Sequence, residues 1–192
     1  MSDPTQLFTH VRVIIGVVLG LGLTHLLRHA AQFVEHPRRD RIWWVHLVWV
    51  ASMFLYLVHF WWWEFHLHTI ASWNFASYAF VVLYTVLLYL LCVLLFPEDL
   101  SGYQGYRDYF LSRRAWFFGA LAAVYVVDFL DTWLKGATYL HALGPEYAIR
   151  GLVFVILCLI AMRTRNARFH GAFAVLGILY QMSFILRLYF VE

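Results

Sequence analysis

Charge is scarce in this chain. Of its 192 residues only 13% are Asp, Glu, Lys or Arg, about half the roughly 25% of an ordinary soluble domain. Lysine is scarcer still: Lys135 stands alone, in a stretch that reads as a loop. A Schiff-base chromophore needs a lysine inside a span, so that chemistry is set aside. The two cysteines, Cys92 and Cys158, both lie in apolar runs and read as small buried hydrophobes, not as a disulfide or a metal pair. There is no phosphate-binding glycine loop, no nucleophile elbow and no HExxH metal motif. Enzyme chemistry is therefore not expected. The net charge of +3 comes from arginines in short loops, which takes nucleic acid off the list of expected partners.

What the chain has in excess is apolar surface, with 63% hydrophobic and 20% aromatic residues. A soluble core cannot absorb that much, whereas a bilayer can. The stretch from Ile42 to Phe65 shows the pattern most clearly. Its length of about 24 residues gives a helix of roughly 36 Å, enough to cross the hydrocarbon core. Tryptophans crowd both ends, where an apolar ring with one polar N–H suits the headgroup boundary. Six such runs occur, over about 7–27, 42–65, 73–96, 109–134, 147–162 and 169–190. The third is closed by Pro97. With short connections, the expected fold is all-α: a polytopic integral membrane protein whose single domain, 1–192, is a compact bundle of six transmembrane helices. The first run does not read as a cleavable signal. It lacks a basic leader, and Arg28 and His29 follow where small residues would be needed.

Arginine placement sets the expected orientation. Arg28, Arg38, Arg39, Arg41, Arg107, Arg113, Arg114, Arg163, Arg165 and Arg168 fall on one side, leaving Arg12, Lys135, Arg150 and Arg187 for the other. By the positive-inside rule both termini lie outside and the first, third and fifth loops face the cytoplasm. The expected location is the inner (plasma) membrane of a bacterium.

Topology then assigns a depth to each polar residue. Arg12, His59, Glu64, Asp128, Asp131, Arg150, Gln181 and Arg187 all fall in the outer leaflet. Three acids and three arginines would make a nearly neutral cluster, and charges within a span must pair or line water. Spacing points inward as well. Tyr125, Asp128, Asp131 and Thr132 share one face of the fourth helix, and Tyr180, Ser183 and Arg187 one face of the sixth. Ser52, Tyr56, His59 and Trp63 form a stripe on the second. Asp128, the deepest acid, is the residue hardest to explain as a side chain snorkelling to the headgroups. The plainer alternative is a set of structural ion pairs locking the ends of the bundle.

The cytoplasmic half carries histidines: His25 and His29 on one helical face, His46 at similar depth, and His170 opening the last run. Neutral imidazoles there suit a proton relay, a metal or a haem iron. Two stacked haems are disfavoured, because thirteen residues place His59 roughly 140° around the helix from His46. One haem between His25 or His29 and His46 stays open. Gly16 and Gly20 form a small-xxx-small pair that lets helices approach closely, within the bundle or in a homo-oligomer.

The expected function is a small channel or transporter for protons or cations. It would use the acidic and arginine cluster as an ion pathway and His25, His29 and His46 as the far half of a relay. No cofactor is required. The alternatives are a non-transporting scaffold, sensor or partner subunit, and a haem-binding electron carrier. The bilayer is the expected partner throughout.

Overall fold

The computed structural model describes residues 4–35, 42–70 and 73–190. All regular structure among them is helical. The elements are α1 (Pro4–Glu35), α2 (Trp44–Trp63), α3 (Phe75–Leu95), α4 (Tyr106–Leu134), the short α5 (Ala137–Ala142), α6 (Gly144–Arg163) and α7 (Ala167–Tyr189). A 3₁₀ segment, Glu64–Thr69, continues α2. Six of these helices are long and apolar enough to cross a membrane, so the chain reads as an integral membrane protein. The spans match the expected ones, except that α1 runs on to Glu35 and α5 was not foreseen. Of the loop arginines that set the expected orientation, Arg38, Arg39 and Arg41 lie outside the described residues.

Local chemistry explains where helices begin and end. The Asn74 side chain accepts the Ser77 backbone N–H at 2.9 Å and caps α3, satisfying a donor that has no partner in the first turn. Asn166 does the same for α7, accepting the Arg168 N–H at 2.9 Å. Pro145 lies in the first turn of α6, where its missing N–H costs nothing. Gly136, at φ 123°, takes a backbone conformation closed to most side chains and turns the chain straight from α4 into α5.

The helices run up and down, so the start of α1 and the end of α7 lie at the same end of the bundle as Lys135. Phe8 meets His68 there and Tyr189 meets His59. The opposite end carries Arg28, Arg107, Arg113, Arg114, Arg163, Arg165 and Arg168. Within the bundle α4 packs on α6 and α3, α1 on α3, and α7 on α2. Outward faces are apolar: Val13, Val17 and Leu21 on α1 and Leu152, Ile156 and Leu159 on α6 are all exposed. Such a belt would aggregate in water and suits lipid tails. Gly171 makes room for Trp44, since a Cβ there would come within 2.8 Å of its ring. Of the small-residue pair on α1, Gly16 accommodates Trp61 while Gly20 faces open space.

Toward the arginine-rich end the core is a wall of rings. Trp49 packs edge-on against Phe117, Phe118 and Phe173 at centroid distances of 5.4, 5.3 and 5.1 Å. Phe118 is fully buried and also stacks on His170. Lipid tails compete for the same apolar side chains, so packing, not escape from water, is what this wall contributes. Phe118→Ala should lower stability by up to about 3 kcal/mol, the low end of the range for emptying a phenylalanine site. Denaturant unfolding in detergent micelles checks this.

Candidate functional site

The Lys135 end of the bundle holds the charged groups, and the first of them is the lysine itself. Lys135 caps the C-terminus of α4, its N–H bonding the Asp131 carbonyl at 3.1 Å. It is not a solvated loop residue: its side chain is 0% exposed. The four-carbon stem folds back inside, and Nζ donates to Glu64 Oε1 at 2.9 Å and to Asp131 Oδ2 at 2.5 Å. Both carboxylates are buried as well. The Trp63 ring stands 5.6 Å from the ammonium and walls it from lipid. Burial alone would push the Lys135 pKa down. The carboxylates of Glu64 and Asp131 outweigh it and hold the amine above its ordinary value. Schiff-base chemistry is therefore disfavoured on a different ground from the loop position read in the sequence. The lysine is inside, but as a charged ammonium and not as a free nucleophile.

One turn deeper, Asp128 is held by two neighbouring helices. Tyr84 of α3 donates to Oδ1 at 3.2 Å and Tyr147 of α6 to Oδ2 at 2.8 Å. Arg150 of α6 approaches Oδ2 to 3.7 Å. Thr132 and Tyr147 share a further hydrogen bond of 2.7 Å, and Tyr56 of α2 meets the Tyr84 hydroxyl at 3.3 Å. Arg150 lies flat over Phe184, 4.1 Å from the ring centre. Tyr84 and Tyr147 went unnoticed in the sequence because tyrosine in a span reads as an interfacial side chain. Here their length carries a donor across the gap between helices.

Beside Asp128 is a cavity of about 40 Å³ lined by Tyr56, His59, Trp63, Tyr125, Arg150 and Gln181 among others. At about 10–15 Å³ per molecule it has room for two or three waters. The expected stripes on α2 and α4 thus do converge, and Gln181 joins them from α7. Two expected members do not. Arg187 forms a two-pronged bridge to Glu146 at 2.8 and 2.6 Å, with both side chains about half exposed. Tyr180 donates to the same carboxylate at 2.7 Å. Arg12 lies over the rings of Phe8, Trp61 and Phe65, on the outside of α1 and apart from the acids. Residue depth was readable from the sequence, but rotation about each helix axis was not.

The histidines gather at the arginine-rich end. The rings of His25 and His29 are 4.3 Å apart, and His29 Nδ1 bonds the His25 carbonyl at 2.8 Å. His46 is fully buried and spends Nε2 on the Leu95 carbonyl at 2.6 Å. Phe96 stacks on His29 at 4.8 Å and meets His46 at 5.0 Å. Its ring stands between the two imidazoles. Among the described residues, no group of three or more His, Cys, Asp or Glu side chains is placed to hold a metal ion. Compared with known proteins, the chain matches no family model, no curated protein and no solved structure.

Removing the ammonium would leave two buried carboxylates facing each other, so Lys135→Met should cost about 3–5 kcal/mol at neutral pH. Adding Glu64→Gln and Asp131→Asn should recover most of that loss. Thermal unfolding of the single and triple variants in detergent measures both effects.

Proposed function

We propose that this chain is a small membrane transporter or channel that handles protons or cations through the polar site at the Lys135 end. One observation supports this reading above the others. Among the described residues, the cations paired with Glu64, Asp128 and Asp131 in the buried cluster are Lys135 and Arg150. Three acids against two bases leave one negative charge over, in surroundings where an uncompensated charge is very costly. A site built this way draws in one positive ion. The cavity beside Asp128 supplies room for water at the same depth.

The arginine pattern favours an orientation with the Lys135 end outside and the histidines toward the cytoplasm of a bacterial cell. His25, His29 and His46 would then serve as the far half of the relay. Trp49 packs with Phe117, Phe118 and Phe173 between the cavity and the histidines, and an ion pathway would have to part these rings. A homo-oligomer would be one way to complete a pore.

Proteoliposomes with internal pH- and cation-sensitive dyes test the reading. Asp128→Asn should cut flux at least tenfold; it also removes the Arg150 partner, so detergent unfolding is measured alongside to show that the variant still folds. Unchanged flux in a folded variant would overturn the role of Asp128. If the histidines take part, flux should change between roughly pH 5 and 8, where unperturbed imidazole titrates. A flat profile would take them out of the mechanism.

A second reading rests on the same ion pairs. Lys135 joins α4 to the end of α2, and Arg150 joins α6 to α4. Together with the ring wall, these links suit a rigid scaffold or partner subunit. A parent protein that passes neither protons nor Na⁺ or K⁺ would favour it.

A further inference from the structure

We infer that the ion taken by this site is a proton and not a metal cation, and that it is shared between the carboxyl groups of Glu64 and Asp131. The inference rests on the transport reading only for its consequence in flux; the protonation itself stands on the geometry.

Lys135 Nζ already occupies the position between the two carboxylates where a metal cation would sit, 2.9 Å from Glu64 Oε1 and 2.5 Å from Asp131 Oδ2. Each carboxylate has one oxygen left. Glu64 Oε2 and Asp131 Oδ1 are both fully buried and neither has a hydrogen-bond donor. Buried carboxylate oxygens are normally satisfied, and two left over beside one ammonium are the pattern of a pair that holds a single proton. One carboxyl is then O–H and the other accepts, which removes the surplus charge without any further ligand. The charge balance closes: one ammonium, one carboxylate and one neutral acid.

The adjoining cavity gives an independent reason against a metal. Three of its four unpartnered polar atoms, Arg150 Nε, Trp63 Nε1 and Gln181 Nε2, are donors, and the fourth is a single imidazole nitrogen, His59 Nε2. A hard cation needs a shell of oxygens. The carboxylate in the lining, Asp128, already accepts from the Tyr84 and Tyr147 hydroxyls, and Tyr56 bonds Tyr84. Donors beside a small water-sized space fit water, one turn of α4 away from the pair.

The groups that set the pair's titration come from every neighbouring element. Lys135 and Asp128 belong to α4 and its cap, Tyr84 to α3 and Tyr139 to α5. Tyr147 and Arg150 face in from α6, and His59 and His66 flank Trp63 on α2 and its extension. Tyr139 also packs against Trp63 and so closes the pair from the outside.

Infrared difference spectroscopy of the full chain in lipid, stepped in pH, tests this. A protonated carboxylic-acid carbonyl band should be present at neutral pH, shift in D₂O, and disappear in Glu64→Gln and again in Asp131→Asn. Both variants keep side-chain size, and thermal unfolding checks that they fold. Absence of the band in the folded parent would overturn the inference, as would its persistence unchanged in both variants. In proteoliposomes a pH gradient should drive uptake, and Na⁺, K⁺ or Ca²⁺ gradients should not. Uptake driven by a metal-ion gradient would overturn the inference and leave transport standing. The band without any flux would support the shared proton and overturn the transport reading instead.

Discussion

The ammonium of Lys135 sets the terms for one end of this protein. It bonds two carboxylates, one from its own helix a turn back and one from the end of α2, seventy-one residues earlier. Taking three charges out of water costs several kcal/mol each, and their mutual attraction returns that only when the geometry is close. Such a triad is therefore poor evidence of stability and better evidence of specificity. It fixes the rotation of α2 against α4, since no other turn of either helix would bring an acid to the lysine. Trp63 is placed as a consequence, stacked along Tyr147 and over the ammonium.

Two carboxylates one turn apart on α4 consequently do different work. Asp128 is well supplied with partners: two tyrosine hydroxyls and a nearby guanidinium meet its two oxygens. It ties α3 and α6 to α4. Asp131 shares its one donor with Glu64, and each of these two keeps an oxygen without a partner. The difference follows from which helices face each position. Asp128 looks toward α3 and α6, whose tyrosines reach it, whereas Asp131 looks toward α2, which offers another acid.

Much of this was legible before any coordinates. Six apolar runs, the inward stripe of Tyr125, Asp128 and Asp131, and the stripe of Tyr56, His59 and Trp63 follow from hydropathy and from a repeat of 3.6 residues. Lys135 was misplaced because it follows the last apolar turn and precedes Gly136, the usual signature of a helix leaving for solvent. Nothing local says that the side chain turns back in; only Glu64, distant in sequence, does. Arg187 shows the converse error. Its depth suggested the cluster, but Glu146 lies nearer on the same surface and takes both of its guanidinium nitrogens. Gly171 carries no signal in the sequence, because the ring that needs its missing Cβ, Trp44, belongs to a helix far away in the chain.

The helix contacts also define what any passage through the bundle must disturb. α7 rests chiefly on α2, and α6 on α4, with little contact between α6 and α7 themselves. The cavity lies where these two pairs meet, lined from α2, α4, α6 and α7 together. Separating the pairs would part Trp49 and Phe173 on one side from Phe117 and Phe118 on the other, which opens the ring wall. The same movement pulls Glu64 away from Lys135 and Asp131 at the far end. A charged contact in a low-dielectric site resists that strongly, whereas ring packing gives way in small steps. The ion pair is therefore the stiffer of the two contacts between the pairs and the aromatic layer the softer.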